Sequence, residues 1–245
     1  MHRFFCPIAN ITKDKIVIDN KEQIHHLKDV LRLKLKDNLM IFDGRGNEYN
    51  CIIEKITNEV VLGIKDKSLP SSKKEGIKIT LACAIPKKSK MDDIIDKLTQ
   101  LGVARIIPLE TERVVVRLNK NKKEARLLRW QKIALSAAQQ SQRNSFSVIE
   151  PVKDVRDVIK NSGGYDLKLI PTLLVEGRKT LREVFTQIKP KNILVLIGPE
   201  GDFADGEIKL ALENGFIPVT LGDTVLRVDT AAIAVVSFIR LYGDN

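Results

Sequence analysis

The sequence predicts an α/β protein in which a small, mostly β domain precedes a larger domain of alternating strands and helices. Three observations carry this. Beyond about residue 76, short apolar runs alternate with amphipathic helical patterns, the signature of an α/β layer architecture. The runs themselves, such as NILVLI at 192–197, are nearly continuous, as expected of parallel strands covered on both faces. The stretch KDKSLPSSKKEG at 65–76 is rich in Pro, Ser, Lys and Gly with almost nothing apolar, and reads as a linker. The domains expected are therefore 1–68 and 75–245.

In the first domain, NKEQIHHLKDVLRL is the one helix. Asn20 can cap it, Gln23 stands where a capping box needs it, and Ile24, Leu27 and Leu31 recur at helical spacing. One of His25 and His26 is expected to face inward. Two apolar runs flank Asp43-Gly44-Arg45-Gly46, a hairpin signal. VVLGI adds a strand, and a small barrel or curled sheet is the natural closure of so many short strands.

In the second domain, IKITLACAI is a strand. MDDIIDKLTQLG is a helix with Ile94, Ile95, Leu98 and Leu101 on one face and Gly102 at its end. ARIIPLE and RVVVRL read as strands, and a long helix covers about 121–142. YDLKLIP, NILVLIG and FIPVTLG are strands; TLREVFTQI, DGEIKLALENG and DTAAIAVVSFIRLY are helices.

Composition excludes several classes. Hydrophobic residues make up 43% of the 245, enough for a substantial core and against wholesale disorder. No run approaches the roughly 18 apolar residues of a membrane span, and MHRFFCPIANITKDK lacks the apolar stretch of a signal peptide. Cys6, Cys51 and Cys83 are odd in number and lack ligand spacing. They read as reduced, buried thiols of a cytoplasmic protein, with no metal site expected. The net charge is +10, and its distribution is uneven: +2 over residues 1–70, +10 over 71–160 and −2 over 161–245. A localised excess of this size points to a polyanion, nucleic acid first, against the plainer alternative of a solvated lysine-rich face.

Two strands end in polar glycine turns, GPEGDF at 198–203 and LGDTVLRVDTA at 221–231. Ligands of open α/β sheets bind at such strand ends. Neither G-x-G-x-x-G after a strand nor G-x-x-x-x-G-K-[ST] occurs. Glu200, Asp202 and Asp205 would also repel a pyrophosphate. The turns suit a ligand without phosphates that is recognised by backbone groups, such as an adenosine bearing a cationic sulfonium. Taken singly, each is also compatible with an ordinary strand-to-helix turn.

These two stretches in order resemble the C-terminal motifs of SPOUT methyltransferases, and more closely the RsmE family, which methylates ring nitrogen 3 of a uridine in 16S ribosomal RNA. Further pieces match in family order: RFF at 3–5, HHLKDVLRLK at 25–34, DGRGNEY at 43–49, DDIIDKLTQLGVARIIPLETERVVV at 92–116 and RWQKIALSAAQQSQR at 129–143. The resemblance spans nearly the whole chain. It implies a PUA-like N-terminal barrel, a C-terminal α/β domain threaded as a trefoil knot, a homodimer, and S-adenosylmethionine held by the knot loops. The chain departs from the family where Asp202 replaces a second glycine, where Asp229 replaces a glutamate, and where a proline near Ser147 is absent.

The resemblance implies that Gly198, Glu200, Gly201, Leu221, Gly222 and Leu226 line the cofactor pocket, with Thr172 and Leu173 of IPTLLVEG as a third loop. Leu221 and Leu226 are equally good core residues. Uridine nitrogen 3 carries a proton, so its methylation needs a base and a cation beside the flanking carbonyls. Asp229 and Arg227, in LRVDTA, are the catalytic candidates. The plainer alternative is that Asp229 caps the closing helix and Arg227 pairs with it. Arg3, Lys87, Lys88, Lys90, Arg113, Gln140 and Arg143 are the RNA-contact candidates. The lysines of PKKSK have a solvated loop as their alternative. The partner expected is 16S ribosomal RNA, within a small-subunit particle. Two other functions compete: a ribose 2′-O-methyltransferase of the same superfamily, and a non-catalytic RNA-binding assembly factor.

Overall fold

The structure, a computed structural model, describes residues 1–68, 76–87, 90–113 and 118–243. The chain divides into two compact units: Met1–Lys74 with Ala138–Phe146, and Glu75–Ala137 with Ser147–Asn245.

The first unit contains β1 (His2–Phe5), β2 (Lys15–Ile18), α1 (Lys21–His25), β3 (Asn38–Phe42), β4 (Glu48–Ile56) and β5 (Val60–Ser68). The strands form one sheet in the order β1-β3-β4-β5-β2, antiparallel except for β1 on β3. Alternate residues (Ile16 and Ile18, Leu39 and Ile41, Cys51 and Ile53, Val60 and Leu62) enter a single apolar cluster. A sheet whose inner face converges on one cluster has to curl round it. Ile24 and Leu27 cover that cluster from α1 and the wider helical turn His26–Val30 that continues it. Asn20 caps α1, its side chain accepting from the Gln23 N–H at 3.0 Å. Contrary to expectation neither His25 nor His26 is buried, because Ile24 and Leu27 occupy the inward face. His25 instead bonds Asp29, and the His26 ring meets Phe4 edge-on.

The β3–β4 hairpin turns at the expected glycines. Asp43 is buried and accepts from the N–H groups of Arg45 (2.8 Å) and Asn47 (3.1 Å), while Gly44 and Gly46 have φ of +74° and +110°. Sequence places residues 138–146 in the second domain, but their contacts lie here. Arg3 donates to Glu48 (2.8 Å) and to Asn144 (2.6 Å). The Gly46 N–H donates to the Asn144 carbonyl, and Phe146 packs edge-on against Phe5.

The second unit runs β6 (Lys78–Ala84), α2 (Lys90–Gln100), β7 (Arg105–Glu110), α3 (Lys120–Gln140), β8 (Val148–Ile149), β9 (Lys153–Asp154), α4 (Val155–Lys160), β10 (Leu167–Pro171), β11 (Lys179–Thr180), α5 (Leu181–Gln187), β12 (Asn192–Ile197), α6 (Asp205–Glu213), β13 (Ile217–Thr220) and α7 (Val228–Gly243). Only the first part of α3, up to Ala137, is counted in it. Every strand pair is parallel, in the order β11-β13-β10-β12-β6-β7-β8, with β9 also on β7. The period of two divides β12 between two cores. Ile193, Val195 and Ile197 pack with residues of α2, α5 and α7, and Leu194 and Leu196 with residues of α4 and α6. The expected burial on both faces is therefore present.

Helix α2 ends at Gly102, φ +77°, as expected. Helix α3 ends in a Schellman motif: Gln142 has φ +55°, and the N–H groups of Arg143 and Gln142 donate to the Ala138 and Gln139 carbonyls. The four central residues of the expected RVVVRL strand, 114–117, lie outside the described residues. Helix α4 was not expected, although Val155, Val158 and Ile159 have helical spacing and Asp154 caps it by accepting from the Arg156 N–H. All three cysteines are free and buried, and burial pushes the Cys6 and Cys51 thiols up to about 12.

The hairpin glycine gives a direct test of the first unit. A methyl group on Gly44 would overlap the Phe146 ring, and its positive φ disfavours any side chain. Gly44→Ala should lower stability by about 2 kcal/mol or more in urea unfolding; an unchanged midpoint would show that the Phe146 contact yields at no cost.

Candidate functional site

The carboxyl ends of β10, β12 and β13 open into one cleft, with about 620 Å³ of empty space when its open mouth is included. Three loops form its walls. The first brings Pro171, Thr172 and Leu173, the second Ile197 to Glu200 with Asp202, and the third Val219 to Gly222 with Thr224, Val225 and Leu226. Val228 and Ala231 add the first turns of α7. Of the residues expected to hold a cofactor, Thr172, Leu173, Gly198, Glu200, Leu221, Gly222 and Leu226 are in these walls. Gly201 is not: it is exposed, and a Cβ built on it meets nothing within 4 Å. Its carbonyl, not its lack of a side chain, is what the turn uses.

That turn is fixed from several sides. The Asp202 N–H donates to the Pro199 carbonyl at 3.0 Å, and Asp202, where the family usually carries a glycine, takes the left-handed conformation with φ +59°. Arg113 donates to the Gly201 and Phe203 carbonyls, each at 3.1 Å, with Asp205 at 3.6 Å. Its guanidinium, singled out in the sequence for RNA, is thus engaged with the glycine turn. Glu207, 1% exposed, accepts from the N–H groups of Ala204 and Glu112 and ties the start of α6 to the segment after β7. On the opposite wall Arg178 donates to the Thr172 carbonyl at 2.9 Å. Gly222 takes φ +121°, a conformation open to glycine, and its N–H donates to the Thr220 hydroxyl.

Arg227 lies between two wall residues and is exposed. Asp229 stands in the first turn of α7, where the helix dipole favours a carboxylate. The two do not pair. The Asp229 Oδ2 lies 3.5 Å from the Lys90 ammonium, and its Oδ1 is buried with no hydrogen-bond partner among the described residues. No cap bond from Asp229 to the helix start is formed among those residues either, so the plainer alternative for this pair is not what the structure contains. Cys83, at the end of β6, lies close enough to feel Asp229 and Glu200. Burial first, and then these two carboxylates, push its thiol far above the ordinary range, which leaves it inert as a nucleophile.

The RNA-contact candidates are distributed between the units. In the second, Lys87 is exposed, Lys90 begins α2 beside Asp229, and Lys88 lies outside the described residues. In the first, the Arg3 side chain is only 11% exposed, lies over the Phe42 ring and bonds Glu48 and Asn144. Gln140 is exposed at the end of α3, and Arg143 is half-buried. Several wall residues were not singled out from the sequence. Ile197 and Val219 follow from the strand-end rule alone. Thr224 and the 74%-exposed Val225 carry no local signal beyond their place between the glycine and LRVDTA.

The two glycines of GPEG should respond differently to a methyl group. At Gly198 a Cβ would lie 3.1 Å from two carbons of the Phe203 ring, and Phe203 is fully buried. Gly198→Ala should cost about 1–3 kcal/mol of stability, and Gly201→Ala should leave the melting temperature near that of the wild type. The reverse ranking in thermal unfolding would overturn this account of the turn.

Comparison with known proteins agrees with this geometry. Residues 73–240 match the family described as RNA methyltransferase domain, and residues 18–64 the family described as RNA methyltransferase PUA domain. The ribosomal RNA small subunit methyltransferase E of Synechocystis is 33% identical over 210 residues, covering 85% of this chain and 67% of that protein. The protein of the same description from Rickettsia conorii is 30% identical, covering 94% and 91%. The crystal structure of a ribosomal RNA small subunit methyltransferase E from Neisseria gonorrhoeae, bound to S-adenosyl methionine, superposes with a TM-score of 0.84 at 29% identity, over 98% of this chain and 97% of that one. With both family matches falling on the two halves the sequence separates, and relatives aligned along most of the length, the chain belongs to the ribosomal RNA small subunit methyltransferase E family.

Proposed function

We propose that the protein transfers the methyl group of S-adenosylmethionine to ring nitrogen 3 of a uridine in 16S ribosomal RNA. The observation that carries this reading is the pair at the start of α7. Arg227 is exposed and stands in sequence between two cleft residues, Leu226 and Val228, and the neighbouring carboxylate of Asp229 keeps one oxygen buried and unpaired.

The cleft fits such a cofactor. Its walls are largely backbone and apolar side chains, as suits an adenine and a ribose. Its charged wall residues, Glu200 and Asp202, are acidic, which suits a sulfonium and an ammonium and opposes a phosphate. Gly222 adds backbone without side-chain bulk. Thr172, Leu173, Gly198, Glu200, Leu221, Gly222 and Leu226 would hold it. When bound, it supplies a methyl group made electrophilic by a positive sulfur.

The chain's own residues do the rest. The Asp229 side chain is 32% exposed, and its carboxylate takes the ring proton, which must leave before the nitrogen lone pair can attack. Lys90, 3.5 Å from Oδ2, fixes the orientation of the carboxylate. Arg227 donates to the carbonyl oxygens over which the uracil anion is spread, an interaction stronger in the transition state than with the neutral base. Asp229 is a short-stemmed carboxylate where the family usually carries glutamate, so the base must approach α7 more closely.

The reading extends to the setting. The substrate is a small-subunit particle in the cytoplasm, and the knotted, dimeric arrangement implied by the family is part of the proposal. Among the described residues no helix is long and apolar enough to cross a membrane. The exposed Leu241 and Tyr242 of α7 give a second copy an apolar surface to cover.

Two tests bear on this. Arg227→Ala should lower single-turnover methylation, at saturating cofactor and RNA, by about a hundredfold or more, as for loss of one transition-state donor. Arg227→Lys should recover only part, having lost the planar fork. Raising the pH should help the Ala variant more than the wild type, since solvent then shares removal of the ring proton. A saturated rate left intact, with only the RNA requirement raised, would sink this role. Mass spectrometry of the product nucleoside distinguishes a methylated base from a methylated ribose. Separately, reversing the charges of Lys87 and Lys88 should weaken RNA binding and flatten its dependence on salt while leaving cofactor affinity alone; identical salt slopes would make that loop a solvated face.

A further inference from the structure

Asp202 is a charged cleft residue held in a conformation that glycine adopts more easily, φ +59°. Its two carboxylate oxygens have different tasks. Oδ1 accepts from the next backbone N–H, that of Phe203, at 2.7 Å and so serves its own turn. Oδ2 reaches across to the loop after β10, accepting from the Thr172 hydroxyl at 2.9 Å and from the Leu173 N–H at 2.8 Å. Thr172 is 4% exposed, and its hydroxyl accepts in turn from the Leu174 N–H. Asp202, Thr172 and Leu173 all line the cleft.

We propose that Asp202 is a positioning residue, a clasp that locks two walls of the cleft together before the cofactor arrives. Without it, the loop after β10 would lose its two bonds to the glycine turn and keep, among the described bonds, the Thr172 N–H to the Val219 carbonyl and its own Arg178 to the Thr172 carbonyl. The carboxylate is a fixed acceptor for the Leu173 N–H, so the neighbouring backbone presents its remaining polar groups in one orientation. Binding then requires little ordering of the loop, and the gain appears as affinity. The inference rests on the reading that S-adenosylmethionine occupies this cleft.

The test compares the wild type with Asp202→Gly, Asp202→Asn and Thr172→Val. Glycine adopts φ +59° without strain, so Asp202→Gly removes the carboxylate without forcing the backbone. Three quantities are read: the Leu173 amide exchange rate in ligand-free protein, the melting temperature, and the calorimetric affinity for S-adenosylmethionine. In Asp202→Gly the Leu173 amide should exchange faster and the cofactor affinity fall about tenfold or more, with the melting temperature close to that of the wild type. Asp202→Asn, whose amide oxygen can still accept, should restore part of both. Thr172→Val should weaken binding less, and its effect should not add to that of Asp202→Gly. Wild-type affinity in Asp202→Gly would overturn the clasp and leave the cofactor reading standing. A fall in melting temperature with affinity unchanged would make Asp202 a merely structural residue and overturn it equally. A wild type that gives no heat with S-adenosylmethionine would bring down the cofactor reading, and the clasp for that ligand with it.

Discussion

Strand β12 is bonded along both edges, to β10 and to β6, and packed on both faces. From Ile193 to Ile197 every side chain meets one of two apolar cores, so no polar group acts along that stretch. Chemistry is confined to the end where the strand runs out, at Gly198. Strands β10 and β13 end alongside it, so three loops that begin at adjacent strand ends are forced into one neighbourhood. The cleft is a product of parallel pairing as much as of its own residues.

The electrostatics of the second unit follow from what must be held there. Arg113, Asp202, Glu207 and Arg178 each bond backbone groups of the wall loops or of the segments that support them. Their charges are directed at main-chain donors and carbonyls that no strand or helix satisfies. Glu200 and Asp229 are both near enough to raise the Cys83 thiol, so negative charge gathers at this end of the sheet while the basic excess belongs to residues 71–160. A cationic small molecule and a polyanion can therefore be drawn to different parts of one chain.

Much of this was legible because the relevant signals are local. The runs of β6, β12 and β13, the caps at Asn20 and Gly102, and the hairpin at Asp43 each depend on residues adjacent in sequence. The resemblance also named seven wall residues correctly as neighbours of one cleft. The misses share a physical cause. Glycine in a motif suggests close approach, yet Gly201 points into open space and contributes a carbonyl. Arg113 looked like a free cation because the carbonyls it serves lie about ninety residues away. The reach of Asp202 to Thr172 and Leu173, and of Arg3 to Asn144, exists only after folding, and no spacing rule encodes it. Helix α4 escaped because six residues are too few for periodicity to stand out.

Residues 138–146 belong to the first unit although the chain has by then entered the second. The first unit has all its strands once residue 68 has been synthesised, but it lacks Asn144 and Phe146 until a further 78 residues follow. At ordinary translation rates that interval is roughly 4–15 s. Throughout it Arg3 has Glu48 and the Phe42 ring but not Asn144, Phe5 lacks its edge-on ring, and the Gly46 N–H lacks its carbonyl. A nascent chain must therefore carry an incomplete first unit past the synthesis of β6, α2, β7 and all of α3. Residues 1–68 on their own would lack Asn144 and Phe146 permanently.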